Sequence, residues 1–591
     1  MTVATDLPAL VRDLEDYLGD PDDPSSPMPF RRILELDEQE LYPYEFVDLL
    51  QRWGLYDWVV PAENGGKAVN VEEGFNLYRL VARRDPTTAT AMVLTSLSYM
   101  PVWVAGNPEQ RQHLADVAMR GGKMAWALSE RRHGSDLLAN ELSARRTDDG
   151  WVLDGEKWTI GNATVADVVM VFARTSEKGG PGGYSIFALE KKDIDRSRFH
   201  EFRDEPLHGL RGLDMSGFRL DGCLLPESAL LGRVGQGLEI ALKSSQLARV
   251  AINIIAMSCV DTALRTTLDF AVDREIFGGT VTDIPYSRRQ LAESFADLLI
   301  ADAVSGGAVR SLQLAPAQTS TWSSLAKYFI PTLLQATVNQ LSVVLGARFF
   351  LRDHPRHGVF QKMLRDLPVS NFADGNTVVN LKNIVLQLER LLTTARDATP
   401  EQSAEAAARI TPLFDPAHPM PPYIPSEQQL FSRGVDDTVL SLPAAVAELR
   451  RRASDAEGRD AQWLARAADT AATLAGEVNR LAAEHAKLAA DLGRDLAQSA
   501  ELFDLAKQYC AVAAASCCVQ LHLHGTSAMA PGPRSPAVLL LCLERLLQRF
   551  QPTVRVTDAA DTDVVAGILL DAHREGRLFS FRGFPLATSS L

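Results

Sequence analysis

Cysteine is scarce in this 591-residue chain. There are six, at 223, 259, 510, 517, 518 and 542, with no Cys-x-x-Cys and no zinc spacing. That excludes a disulfide framework or a zinc ribbon and sets the expectation of reduced thiols in a cytoplasmic protein. An excess of positive charge is missing too: 60 Lys and Arg stand against 75 Asp and Glu, a formal charge of −15. The net basic face that nucleic acid requires is therefore not expected, which leaves room only for a local basic pocket toward a phosphorylated ligand. No run of about 18 apolar residues occurs, so no membrane span is expected. The start, "MTVATDLPALVRDLEDYLGD", lacks a basic n-region and does not read as a signal peptide. What is present, 46% apolar and 23% charged residues, is the balance of a soluble globular protein, and the length predicts about three or four domains.

The patterning changes several times along the chain. Residues 1–125 read as helices, with apolar positions at three and four in "FVDLLQRWGLYDWVV" and "GFNLYRLVARR". From 126 to 235 short apolar runs replace them. "LSARRTDDGWVLDGEKWTIGNA" carries an Asp149-Gly150 turn, and "DVVMVFART" and "GGYSIFALE" read as strands. Helical spacing returns over 236–398, where Val260, Leu264, Leu268 and Ala271 make a core stripe. A linker is expected over 399–430, where "TPLFDPAHPMPPYIPSEQQL" is too proline-rich for a helix. An Ala-rich helical region follows over 431–591, with Leu474, Val478, Leu481, His485, Leu488 and Leu492 spaced as in a bundle. The fold class expected is mainly α with a central β domain and an additional C-terminal helical domain.

Two stretches carry candidate chemistry. In "AWALSERRHGSDLLANELSARRTDDGWVLDGEKWTIGNATVADVVMVFART" (125–175), Ser129, Gly134 and Ser135 occupy one turn and "IGNA" a second. Such turns expose backbone donors to the polar edge of a flat ligand. In "RDLPVSNFADGNTVVNLKNIV" (365–385), Asp374 lies in a glycine-bearing turn ahead of Val378, Val379, Leu381 and Ile384. Either Asp374 or Asn376 serves as a helix cap there, or Asp374 is a general base. His522 and His524 in "LHLHGTSAM" lack a third ligand and read as core or turn histidines.

The first stretch resembles the flavin-binding domain of the acyl-CoA dehydrogenase family. It keeps Glu130, Gly134, Ser135, Asp136, Gly155, Lys157, Ile160, Asn162, Ala166, Asp167, Ala173 and Arg174 of that family's blocks. The resemblance covers roughly residues 30–395 and implies a helical domain, a β-barrel domain and a four-helix bundle. The region beyond about 431 is similar to the extra helical domain of long members. The resemblance also implies FAD as cofactor, held by Trp126, Leu128, Ser129, Gly134, Ser135, Thr159, Gly161, Arg274, Phe277, Gly346 and Asn376. Ser135, Arg249 and Gly375 are implied for the substrate.

By the same resemblance Asp374 falls on the catalytic glutamate. The family's alternative position for the base, beside Arg249, holds Ala248. The sequence also departs from the family pattern. Thr159 stands for a tryptophan, Gly161 for a hydroxyl residue and Pro285 for a glutamine, while Val343, Ala347 and Phe349 alter a Gln/Gly loop. Arg131, Arg132 and His133 replace a Pro-x-x turn and are either a plain solvated loop or candidates for a CoA or carrier-protein phosphate.

The function implied is α,β-dehydrogenation of an acyl-CoA or acyl-carrier-protein thioester, with an electron-transfer flavoprotein or oxygen as electron acceptor and a homodimer as the assembly. A flavin oxidase or monooxygenase, similar to nitroalkane oxidases or N-oxygenases, is the alternative, followed by a non-catalytic flavoprotein.

Overall fold

The computed structural model describes residues 6–202, 205–373, 375–525 and 527–588. The chain divides into two compact units, Met1–Ile255 with Pro422–Leu430, and Ala256–Pro421 with Phe431–Leu591.

The first unit begins with helices, among them Val71–Arg84, Pro86–Ala105 and Pro108–Met119. Asn70 and Asn107 open two of these with reciprocal capping boxes, and Asp85 caps the third. Among the described residues eight strands follow: β1 (Met124–Ala127), β2 (Ser143–Thr147), β3 (Gly150–Gly161), β4 (Val168–Arg174), β5 (Tyr184–Glu190), β6 (Phe199–Glu201), β7 (Met215–Leu225) and β8 (Leu230–Leu231). They form one sheet in the order β6-β7-β3-β2-β4-β5-β8, with β1 parallel to β4. The central β domain is thus an eight-stranded sheet whose hydrogen-bonded path runs from β6 to β8.

Alternation along the strands gives the sheet two apolar faces. Ala125, Leu153, Val169, Val171, Phe187 and Phe218 share one core. Met124, Met170, Phe172 and Ile186 pack with Tyr99, Val102, Leu114 and Ile240 of the helices in the other.

The second unit is helical. Asn253–Asp273, Pro285–Leu314, Thr319–Leu345 and Thr377–Val385 are joined by Gly458–Leu492, Ala500–His524, Pro536–Leu547 and Ala559–Arg574. Val260, Leu264, Leu268 and Ala271 are fully buried, as their spacing predicts. Leu474, Val478, Leu481 and His485 are buried as well, while Leu488 and Leu492 at the end of the same stripe are only partly covered.

The proline-rich stretch departs from the linker expectation. Pro400–Phe414 is a helix with Thr399 as its cap and Pro412 in its last turn. A proline so close to the C-terminus removes a single ladder bond, and Ile410, Leu413 and Phe414 bury around it. Residues 422–430 belong to the first unit. There the Tyr423 ring meets Trp103 edge-on at 5.1 Å, and Lys243 and Gln246 donate to the carbonyls of Ser426 and Gln429. Among the described residues four helical segments are long and apolar enough to cross a bilayer, and 56–89% of each apolar window is buried inside the protein.

Candidate functional site

The first turn of interest leaves β1 at Ala127. Its anchor is Lys157, a fully buried residue of β3. The Lys157 ammonium donates to the Leu128 carbonyl (3.0 Å), to Glu130 Oε1 (3.0 Å) and to Asn140 Oδ1 (2.6 Å). Glu130 in turn accepts the backbone N–H groups of Glu141 and Leu142 at 2.7 and 2.9 Å. Burial lowers the Lys157 ammonium to about 8, against the opposing pull of Glu130. One buried ion pair therefore closes the whole excursion from 128 to 142 and leaves Gly134 and Ser135 at its exposed tip.

Ser129 ties this turn to the second one. Its carbonyl accepts the Trp158 N–H, and its hydroxyl donates to the Trp158 carbonyl at 3.0 Å. Beyond Trp158 the register of β3 against β7 shifts, and Thr159 sits in that bulge at φ +57°. A β-branched residue is unusual in this conformation, at a cost of about 1–3 kcal/mol.

The strain is held from both sides. The Asn162 amide donates to the Ala91 carbonyl, and Asp214 accepts from the N–H groups of Thr164 and Val165 and from the Ser216 hydroxyl. Gly161 is confined as well, since a Cβ there would lie 2.4 Å from Leu94 Cδ1. Trp126, Leu128, Ser129 and Thr159 remain half-exposed. Trp158 is turned to other partners: its indole N–H donates to Glu205, and the Arg131 guanidinium lies 4.7 Å over its ring.

The turn's other polar residues are partly committed. Arg131 also pairs with Glu156 at 2.9 Å, and His133 lies 3.4 Å from Glu141. Arg132 is exposed. Arg249, from helix Gly237–Ala251 of the same unit, is buried, and its carbonyl accepts from Asn253.

In the second unit, Arg274 follows the last turn of helix Asn253–Asp273 and opens a small hairpin of β9 (Glu275–Ile276) and β10 (Gly279–Thr280). Phe277 and Gly278 form its two-residue turn at φ +53° and +84°, the hand that matches strand twist. Phe277 is 93% exposed. Arg274 is exposed too, and among the described residues no carboxylate pairs with it. Gly346 ends helix Thr319–Leu345 at φ +64°, and past it Phe350 is exposed while Arg348 lies 4.8 Å over the Phe270 ring.

Asp374 lies outside the described residues. Around it, Gly375 has φ +83°, and Asn376 caps helix Thr377–Val385 by accepting the Val379 N–H at 2.9 Å. The Asn380 amide donates to the carbonyls of Gly375 and Asn376. The cap of that helix is thus Asn376.

Sequence reading did not find the anchoring roles of Lys157, Asn140 and Asp214, or Leu94 beneath Gly161. Lys157 and Glu130 match letters of the family's blocks, but their mutual contact spans 27 residues and is made only when β3 folds under the turn. His522 is buried, which lowers it to about 4, and His524 Nε2 lies 3.4 Å from the Thr411 hydroxyl. Among the described residues no group of His, Cys, Asp and Glu forms a metal site.

Comparison with known proteins bears on this arrangement. Residues 30–121, 125–223 and 235–388 match the models of the N-terminal, middle and C-terminal domains of acyl-CoA dehydrogenases. Cyclohex-1-ene-1-carbonyl-CoA dehydrogenase of Geobacter metallireducens is 26% identical over 350 residues, 59% of this chain and 90% of that protein. The mitochondrial short-chain specific acyl-CoA dehydrogenase of Homo sapiens is 28% identical over 261 residues, 44% of this chain and 63% of that one. An acyl-CoA dehydrogenase from Bacillus anthracis, solved in complex with FAD, shares the fold over 96% of this chain and 95% of its own, with a TM-score of 0.69 and 18% identity. That likeness extends past residue 388 into the C-terminal helices. The chain belongs to the acyl-CoA dehydrogenase family of FAD-dependent oxidoreductases.

Proposed function

We propose that the protein is an acyl-thioester α,β-dehydrogenase in which Asp374 removes the α-proton. What carries this reading is that Asn376 caps helix Thr377–Val385, so that the helix does not need Asp374 for that purpose. Asp374 also falls on the family's base position, and the alternative position beside Arg249 is occupied by Ala248.

The residues present fit FAD. In the first unit, Trp126, Leu128, Ser129 and Thr159 offer a half-exposed wall of apolar and hydroxyl groups, and Gly161 leaves only backbone at the end of β3. In the second unit, the exposed guanidinium of Arg274, with no carboxylate partner among the described residues, suits a diphosphate, and the exposed Phe277 suits a planar base. Gly134, Ser135, Gly346 and Asn376 are assigned to the same cofactor by position, and Ser135, Arg249 and Gly375 to the substrate. FAD, when bound, supplies the acceptor for the hydride leaving the β-carbon.

The task of the chain's own residues is then proton transfer and positioning. The thioester acidifies its α-hydrogens, and donors at the carbonyl oxygen stabilise the charge that develops as the Asp374 carboxylate accepts the proton. Asp374→Asn keeps the size of the side chain and removes the acceptor. Anaerobic mixing with a panel of acyl-CoA thioesters is expected to bleach the flavin absorbance of the parent, and about 10²–10⁴-fold more slowly in Asp374→Asn. Bleaching at the parental rate in the variant ends the assignment.

A flavin oxidase or monooxygenase is the second reading. It is favoured by Gly161, where no side-chain hydroxyl exists and Leu94 occupies the space a Cβ would need. Peroxide formed from a nitroalkane, with no bleaching by any acyl thioester, would select it. A homodimer, an electron-transfer flavoprotein or oxygen as acceptor, and a cytoplasmic location complete the proposal. The exposed Phe277 and Phe350 support a second copy, and six free, buried thiols support a reducing compartment.

A further inference from the structure

Within the second unit lies a cleft of about 280 Å³, none of whose lining residues is assigned above. It is lined by Tyr328, Phe329 and Thr332 of helix Thr319–Leu345, by Asp504, Lys507 and Gln508 of helix Ala500–His524, and by Arg549 just past helix Pro536–Leu547. Its chemistry is one-sided. The Arg549 guanidinium lies 5.4 Å over the Phe329 ring, and among the described residues no carboxylate pairs with it. Stacking occupies the faces of a guanidinium and leaves its N–H edge available for a bidentate acceptor.

Gln508 contributes a second donor. Its side-chain oxygen accepts from Arg480, which turns its NH₂ group to other partners. The Tyr328 hydroxyl makes no hydrogen bond among the described residues, and burial raises its pKa, so it stays a donor. Lys507 is held 2.8 Å from Asp504, the single carboxylate in the lining. Two cations, a phenol and an amide therefore face one acid around an aromatic floor. Thr332 does not alter this balance, because its hydroxyl donates to the Tyr328 carbonyl within its own helix.

We propose that this cleft binds a small organic oxyanion, a phosphate monoester or carboxylate, whose planar or apolar part rests against Phe329 while its oxygens meet Arg549, Tyr328 and Gln508. The cleft is walled by a helix of the family's C-terminal domain, residues 235–388, on one side and by later helices on the other. An occupant bridges the two and stabilises their packing.

The test uses the full-length, FAD-loaded protein and four probes: phenyl phosphate, inorganic phosphate, benzoate and neutral phenol. Titration calorimetry and thermal unfolding of the parent are expected to show saturable binding and a raised midpoint with phenyl phosphate, or with benzoate if the site prefers carboxylates. Arg549→Ala is expected to weaken that affinity about tenfold, the scale of one charge-assisted hydrogen bond, and Tyr328→Phe to weaken it less. Both variants should keep the flavin spectrum, which shows that they fold. Binding that is unchanged in Arg549→Ala, equal binding of phenol, or no saturable binding of any oxyanion overturns the proposal.

Discussion

The paired turns of the first unit and the hairpin of the second differ in what holds them. The turns at 128–142 and 158–165 are fixed from inside, by Lys157 with Glu130 and Asn140 and by Asp214 with the backbone of Thr164 and Val165. Even the strained Thr159 is bracketed by such contacts. The Arg274–Thr280 hairpin is tied at its base instead, where the exposed Asp283 carboxylate accepts from the Thr280 N–H and hydroxyl at 2.7 and 3.0 Å. Among the described residues no carboxylate pairs with its guanidinium, its aromatic is exposed, and its turn places a phenylalanine where glycine or asparagine is favoured. A wall that must present fixed atoms to a reacting ring is organised by the fold itself. A grip on a charged ligand leaves its partners unsatisfied until that ligand arrives.

The comparison breaks most readily at Lys157. Lys157→Met leaves the Glu130 charge buried without its cation, and a loss of about 3–5 kcal/mol in unfolding free energy is expected from urea titration. Pairing it with Glu130→Gln should recover part of that loss. If Lys157→Met costs less than about 1 kcal/mol, the turn is not held from inside.

Arg274→Ala is the converse test. Because the guanidinium is exposed and pairs with no carboxylate among the described residues, stability should hardly change, while FAD affinity falls about tenfold in a dilution assay followed by flavin fluorescence. Loss of stability without loss of affinity would reverse the contrast.

A third measurement concerns the second unit's core, where His522 is held neutral. Its folded value of about 4 lies below the ordinary 6.5 because burial penalises the charged ring, with Arg452 adding to the effect. The unfolded chain therefore takes up the proton first. His522 contributes stability that is complete above about pH 6.5 and is lost as the pH falls toward 4, on the order of 1–3 kcal/mol. In His522→Gln the acid-side decline of the urea midpoint should be shallower.

The smallest effect is expected at the hairpin tip. Phe277→Asn suits the positive φ and should gain up to about 1 kcal/mol while weakening FAD binding, which would separate turn strain from cofactor grip.

Much of the fold was legible without coordinates. The 3.6-residue stripes through Val260 and Leu474, and the short apolar runs at Val168 and Tyr184, name their elements because local periodicity must match one buried face. The order of helical, β and helical segments and the family's blocks followed from the same letters. Read alone, its stretch limits Asp374's duties to a cap or a base, and the resemblance to the family's blocks favours the base.

What the letters did not settle depended on contacts distant in sequence. Asn376 took the cap because its side chain reaches the Val379 N–H. Pro412 stayed helical because the cost of one missing bond falls in a terminal turn. Lys157 became the anchor of a turn 27 residues before it only when β3 carried its ammonium beneath Glu130. Thr159 and Gly161 acquired their geometry from a bulge against β7 and from Leu94 of a distant helix. Periodicity and motif spacing are properties of neighbouring residues, and sequence determines them directly. Burial, strain and ion pairing are properties of surroundings, and only tertiary structure supplies those.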